Sequence, residues 1–73
     1  MRLVEFEQWD FSDDINGVIS GPTAINPEYV VRVSTWTGDD KMCLEYCDGR
    51  TVYSVVVKGT WQEVMAKLRG EQP

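Results

Sequence analysis

Residues 41–70 of this chain, KMCLEYCDGRTVYSVVVKGTWQEVMAKLRG, change hydrophobic period partway through, and that change limits the fold more than any other feature. Up to Lys58 the apolar residues alternate, as on a strand with one buried face. From Trp61 they recur at helical spacing, so that Trp61, Val64, Met65 and Leu68 form one stripe. Asp48-Gly49 separates the two alternating runs, and such a pair is favoured in hairpin turns where φ is positive. Taking it as the two-residue turn sets Cys47 opposite Arg50, Leu44 opposite Tyr53 and Met42 opposite Val55. Met42, Leu44, Tyr46, Tyr53, Val55 and Val57 then share one face, and a slip of one residue would mix the faces. Thr60 followed by Glu63 forms a capping box, which starts a helix over about 60–69. Glu63 and Lys67 are spaced to pair, Lys67 and Arg69 suit the negative end of the helix, and Gly70 is a stop. The stripe is expected to pack on the apolar face of the sheet, with Trp61 in the core.

The remainder reads as further strands. Residues 2–9 alternate imperfectly, with Val4 and Phe6 on one side and Leu3, Glu5, Glu7 and Trp9 on the other. Residues 10–22, DFSDDINGVISGP, hold three Asp, two Gly and a Pro, which predicts an acidic loop with a short extended piece at Val18-Ile19. Asn26-Pro27 interrupts the chain: proline biases Asn26 towards an extended conformation, and the Asn side chain can close a turn. A strand follows from Glu28 to Thr37, with Tyr29, Val31, Val33 and Thr35 on one face and Val30, Arg32, Ser34 and Trp36 on the other. The competing reading is a helix with Pro27 in its first turn; the β-branched residues disfavour it. The sum is an α+β chain, one domain over 1–73, with an antiparallel sheet of three to five strands and one carboxy-terminal amphipathic helix on one face.

The chemistry available is narrow. There is no histidine, and no GxSxG, GxGxxG or P-loop pattern, so the chain is not expected to be an enzyme or to hold a cofactor. Cys43 and Cys47 fall on one strand face with their Cα atoms roughly 13 Å apart, at ~3.3 Å per residue. That is too far for a disulfide or a shared zinc, and leaves two free thiols suited to a reducing compartment. Ser12–Gly17 approaches a calcium-loop pattern, but Ser12 and Thr23 stand where that pattern has charged ligands, and a solvated acidic turn is the ordinary reading. No metal is expected.

The net charge is −5 over 73 residues, and residues 1–27 hold five acids against Arg2 alone. Such a field repels phosphate backbones and attracts basic surfaces, so direct nucleic-acid binding is not expected. The first residues lack the layout of a signal peptide, and no apolar run nears the ~20 residues that span a bilayer, so a cytoplasmic location is expected. A core this small is often reinforced by association, so a homodimer or higher oligomer is a further expectation.

Glu5, Glu7, Trp9, Asp10, Phe11, Asp13, Asp14 and Trp36 are the candidate partner-binding residues. Charge runs are usually solvated faces, yet acids interleaved with aromatics also suit a basic groove on another protein. Trp36, on the strand face opposite Val33, is either a binding hot spot or a cover for the sheet's second face. Ile25-Asn26-Pro27-Glu28, Asp48-Gly49, Val55-Val56-Val57 and Glu63-Val64 with Leu68 follow one another in an order that resembles small bacterial and phage proteins of the FlbD, or swarming-motility, type. The resemblance covers about residues 24–68. It departs at the start, where that family runs almost directly from a first strand to the Asn-Pro turn and this chain inserts its acidic residues 10–22. The leading expectation is a non-catalytic, inhibitor-like interaction module, encoded by a phage or mobile element, that occludes a host protein with a basic surface. One alternative is a ligand-binding or sequestering oligomer using Tyr46, Arg50 and Arg32; another, implied by the resemblance, is a flagellar or regulatory accessory.

Overall fold

The computed structural model describes residues 2–70. Strand β1 (Val4–Asp10) is followed by β2 (Val18–Ile25), a 3-10 turn (Pro27–Tyr29), β3 (Val30–Thr35), β4 (Lys41–Asp48), β5 (Thr51–Lys58) and the helix α1 (Trp61–Arg69). The strands form one antiparallel sheet in the order β2-β1-β5-β4-β3. The expected α+β architecture, five strands with one carboxy-terminal helix, is therefore present.

The acidic loop is shorter than the sequence suggests. Asp10 ends β1; Val18-Ile19, expected as a short extended piece, and residues 20–22, expected as loop, belong to β2. Gly21 and Pro22 fit because β2 is an edge strand, and the register shifts between Gln8 and Trp9 opposite them. At the Asn-Pro corner both readings hold in part. Asn26 caps the single 3-10 turn, its Oδ1 accepting from the Glu28 N–H at 3.0 Å, and the chain then becomes β3. A shift in pairing between Val30 and Arg32 overturns the predicted alternation: Val30 joins Val33 against the core, and Val31 is exposed.

The β4–β5 hairpin keeps the predicted faces but not the predicted turn. Asp48 pairs with Thr51, Tyr46 with Tyr53, Leu44 with Val55 and Met42 with Val57, so Gly49-Arg50 is the connection. Gly49 has φ +66° and Arg50 is not in the left-handed region, the pattern of a turn with glycine at its first central position. Moving the turn by one residue changes each partner by two, so no side chain changes face. It also sets Met42 against Val57, both essentially buried.

The sheet curls. Its outermost strands, β2 and β3, are joined only by residues 26–29, three of them in a 3-10 turn. A flat five-stranded sheet would hold those strands about 19 Å apart, at ~4.8 Å per step. A turn that rises only ~2 Å per residue falls well short of that. The curl is absorbed between β1 and β5, which share the single pairing Gln8↔Val57. Val4, Phe6, Ile25, Met42, Leu44, Val57 and Val64 are buried inside it, with Val30, Val33, Val55 and Leu68 packed against them.

The helix closes the amino-terminal half of β1. Thr60 Oγ1 accepts from the Glu63 N–H at 3.2 Å, and Gly70 donates to the carbonyls of Ala66 and Lys67. Lys67 does not pair with Glu63 as expected; its Nζ donates to the Glu5 carbonyl at 3.1 Å and lies 5.2 Å from the Phe6 ring centre. Arg2 donates to the carbonyls of Lys67 and Leu68 in the last turn of the helix. Val64 is 1% exposed, but Trp61 is 45% exposed and does not join the core as expected. In a helix of nine residues, the turn centred on Val64 and Leu68 meets the sheet, and Trp61 lies beyond it.

Candidate functional site: an aromatic seam with an acidic rim

The loop at residues 11–17 is ordered by its own acids. Asp10 Oδ1 accepts from the Ser12 N–H at 2.9 Å and Asp14 Oδ1 from the Asn16 N–H at 2.8 Å, two local turns of the kind Asp favours. The Ser12 backbone and hydroxyl together hold the Asp10 carboxyl below its ordinary range. The loop closes through Gly17, whose N–H donates to the Asp14 carbonyl at 2.9 Å with φ +80°. The Phe11 ring lies against that glycine so closely that a Cβ there would fall 2.5 Å from Phe11 Cε1.

Phe11 thereby bridges two tryptophans. Its ring centre is 6.5 Å from that of Trp9 and 6.0 Å from that of Trp36, so the end of β1, the acidic loop and the end of β3 meet in one aromatic seam. Lys41, opening β4, lies 4.4 Å over the Trp9 ring and reaches Asp40 at 3.6 Å. Trp9 Nε1 is buried and has no hydrogen-bond partner among the described residues. Trp36 is the outward end of the seam, 45% exposed. Asp13 and Asp14 on the loop that carries Phe11, and Asp39 and Asp40 on the β3–β4 turn that follows Trp36, are exposed.

Of the predicted residues, Trp9, Asp10, Phe11, Asp13, Asp14 and Trp36 come together. Glu7 stands one same-face step along β1 from Trp9 and pairs with Lys58 at 3.8 Å. Glu5 is a further step away, exposed, beside the helix end that Lys67 anchors. Sequence reading missed Lys41, Asp39 and Asp40; their position after Trp36 in a turn was the available signal. Within one chain, the three residues of the ligand-binding alternative make separate contacts. Arg32 pairs with Glu45 at 3.9 Å, Arg50 lies in the β4–β5 turn, and Tyr46 stacks on Tyr53 with ring centres 5.5 Å apart.

Both thiols are free, Cys43 buried and Cys47 half-buried, as the strand spacing predicted. Burial, aided by the Glu45 carboxylate, pushes the Cys43 thiol above its ordinary range; a hydrogen bond with Ser34 and the Arg32 charge pull weakly the other way. No cluster of three or more metal-ligating side chains occurs among the described residues, and no helix among them is long and apolar enough to cross a membrane. Comparison with protein-family models, with curated proteins and with solved structures found no match.

Proposed function

We propose that this protein is a non-catalytic interaction module that occludes a basic surface on another protein through the Trp9–Phe11–Trp36 seam. The observation that carries the reading is the seam itself: three rings in continuous contact, ending in a half-exposed tryptophan, with exposed acids on the two loops that supply Phe11 and Trp36. A rigid aromatic with excluded water around it is the usual energetic centre of a protein interface, and surrounding charge speeds encounter and selects the partner. The net charge of −5 gives a basic partner the advantage over a neutral one. A host protein bound by a small phage-encoded or mobile-element-encoded inhibitor fits this chemistry.

The test is capture from cell lysate on the immobilised protein. One stoichiometric partner, released by moderate salt, is expected. The double substitution Asp13→Lys/Asp14→Lys should weaken capture at least tenfold, and Trp36→Ala should abolish it. Capture unchanged by both would exclude the seam as the contact surface.

A further inference from the structure

The curl that brings β2 towards β3 also creates a groove at the Asn-Pro corner, remote from the seam in the chain and lined by other residues. Its volume is about 270 Å³, and Thr23, Ala24, Ile25, Asn26, Tyr29, Tyr46 and Asp48 line it. Tyr46 and Asp48 alternate on the same face of β4 as the core residue Leu44, two and four positions further on. The core thus continues into an open end, walled by a tyrosine, floored by aliphatic groups and closed by a carboxylate.

Three features define what the groove would take. Asp48 forms no ion pair among the described residues, and no basic side chain lines the groove. Tyr29, on the corner, is 53% exposed and lines the groove together with Tyr46. Tyr46 is held in place by its stack on Tyr53, at 5.5 Å and 25°. An aromatic face beside an unpaired carboxylate attracts a cation, and it favours guanidinium over ammonium. A planar guanidinium lies flat on a ring and offers paired N–H donors to one carboxylate.

The geometry points to this groove as a receptor for an arginine side chain presented by a partner polypeptide. The guanidinium stacks against Tyr46 and donates to Asp48, and the apolar stem lies along Ile25 and Ala24. The polypeptide source is part of the proposal: the groove is a surface site open to solvent and not an enclosed cavity, so the arginine can be presented from a chain outside it. The inference does not rest on the aromatic seam, and either can fail alone.

The experiment is a titration of the uniformly 15N-labelled protein followed by amide chemical shifts. The probes are an acetylated, amidated Gly-Arg-Gly peptide, its lysine and citrulline counterparts, and guanidinium chloride. Saturable shifts at Tyr29, Tyr46 and Asp48 with the arginine peptide are expected, at least threefold weaker with lysine and absent with citrulline. Asp48→Asn should weaken binding at least fivefold. Tyr29→Ala, at an exposed position, should weaken it about threefold while leaving the rest of the spectrum in place, which separates loss of the site from loss of the fold. Shifts absent from the groove, or unchanged in both variants, overturn the proposal. Equal response to guanidinium chloride at equal concentration overturns the polypeptide source. Shifts clustered at Trp36 and the acidic loop would instead assign arginine recognition to the seam.

Discussion

At the scale of single residues, Gly17 carries more than its size suggests. Its φ of +80° disfavours any side chain, and the space a Cβ would need belongs to Phe11. Gly17→Ala should therefore destabilise the protein by about 1–3 kcal/mol. In chemical denaturation it should also blue-shift less of the tryptophan emission on refolding, because Trp9 and Trp36 lose their common neighbour. Trp9 makes a second case. Its unpartnered indole N–H is a standing penalty of about 1–3 kcal/mol. Trp9→Phe removes the penalty together with some packing and should cost under ~2 kcal/mol, whereas Trp9→Ala should cost about 3–5. Cys43 has its effect at alkaline pH. Because burial raises its pKa in the folded state, the unfolded chain ionises first as pH climbs past the ordinary value of 9.0. Stability tied to this thiol is fully present below that value and is lost above it. Cys43→Ala should flatten the fall in denaturation midpoint between pH 8.5 and 10.5; an unchanged slope would assign the fall to other groups.

At the scale of elements, the hairpin and the helix cap are where sequence and structure can be compared most closely. Thr60→Ala should cost about 1 kcal/mol by freeing the Glu63 N–H, read as a shift in urea midpoint at constant slope. Gly49→Ala should cost a similar amount, while Asp48→Ala should not disrupt the turn, since Gly49 and not Asp48 carries the positive φ. That contrast explains what was legible. Alternation fixes which face a residue takes, and every member of the Met42–Val57 face was placed correctly. It cannot separate registers that differ by two, because they bury the same face; the choice falls to turn geometry and to the fit of Met42 against Val57. The register shift at Val30–Arg32 was hidden for a related reason. Val30 and Val31 are adjacent and equally apolar, so alternation from Val33 selects Val31, and only tertiary pairing decides that Val30 turns inward and Val31 outward. Residues 20–22 read as loop because Gly21 and Pro22 are turn residues by composition, and an edge strand tolerates them. The acidic and aromatic members of the seam were visible as types. Their meeting was not, since Trp36 reaches Phe11 only through the curl of the sheet.

At the scale of the whole molecule, the sheet divides into two parts of unequal strength. β3, β4 and β5 are joined by full ladders, and β1 and β2 by another, but a single pairing crosses between β1 and β5. The shared core of Val4, Phe6 and Ile25 with Met42, Leu44 and Val57 joins the two parts, with Arg2 and Lys67 on the helix side and Phe11 with Trp36 on the seam side adding to it. Amide hydrogen exchange should therefore show two tiers, with β4 and β5 the most protected and the β1–β2 hairpin opening at lower free energy. Arg2→Ala should speed exchange in β1 and α1 more than in β4. Uniform protection across all five strands would contradict the division.

The Asn26–Tyr29 corner has one further consequence, for the order in which the chain is made. Synthesis delivers the β1–β2 hairpin before any of the strands or the helix that cover its inner face. Its apolar residues Val4, Phe6 and Ile25 lack their core partners until Met42, Leu44 and Val57 emerge, and the core is complete only once Val64 follows. The β1–β2 hairpin thus emerges ahead of every other described element that covers its inner face.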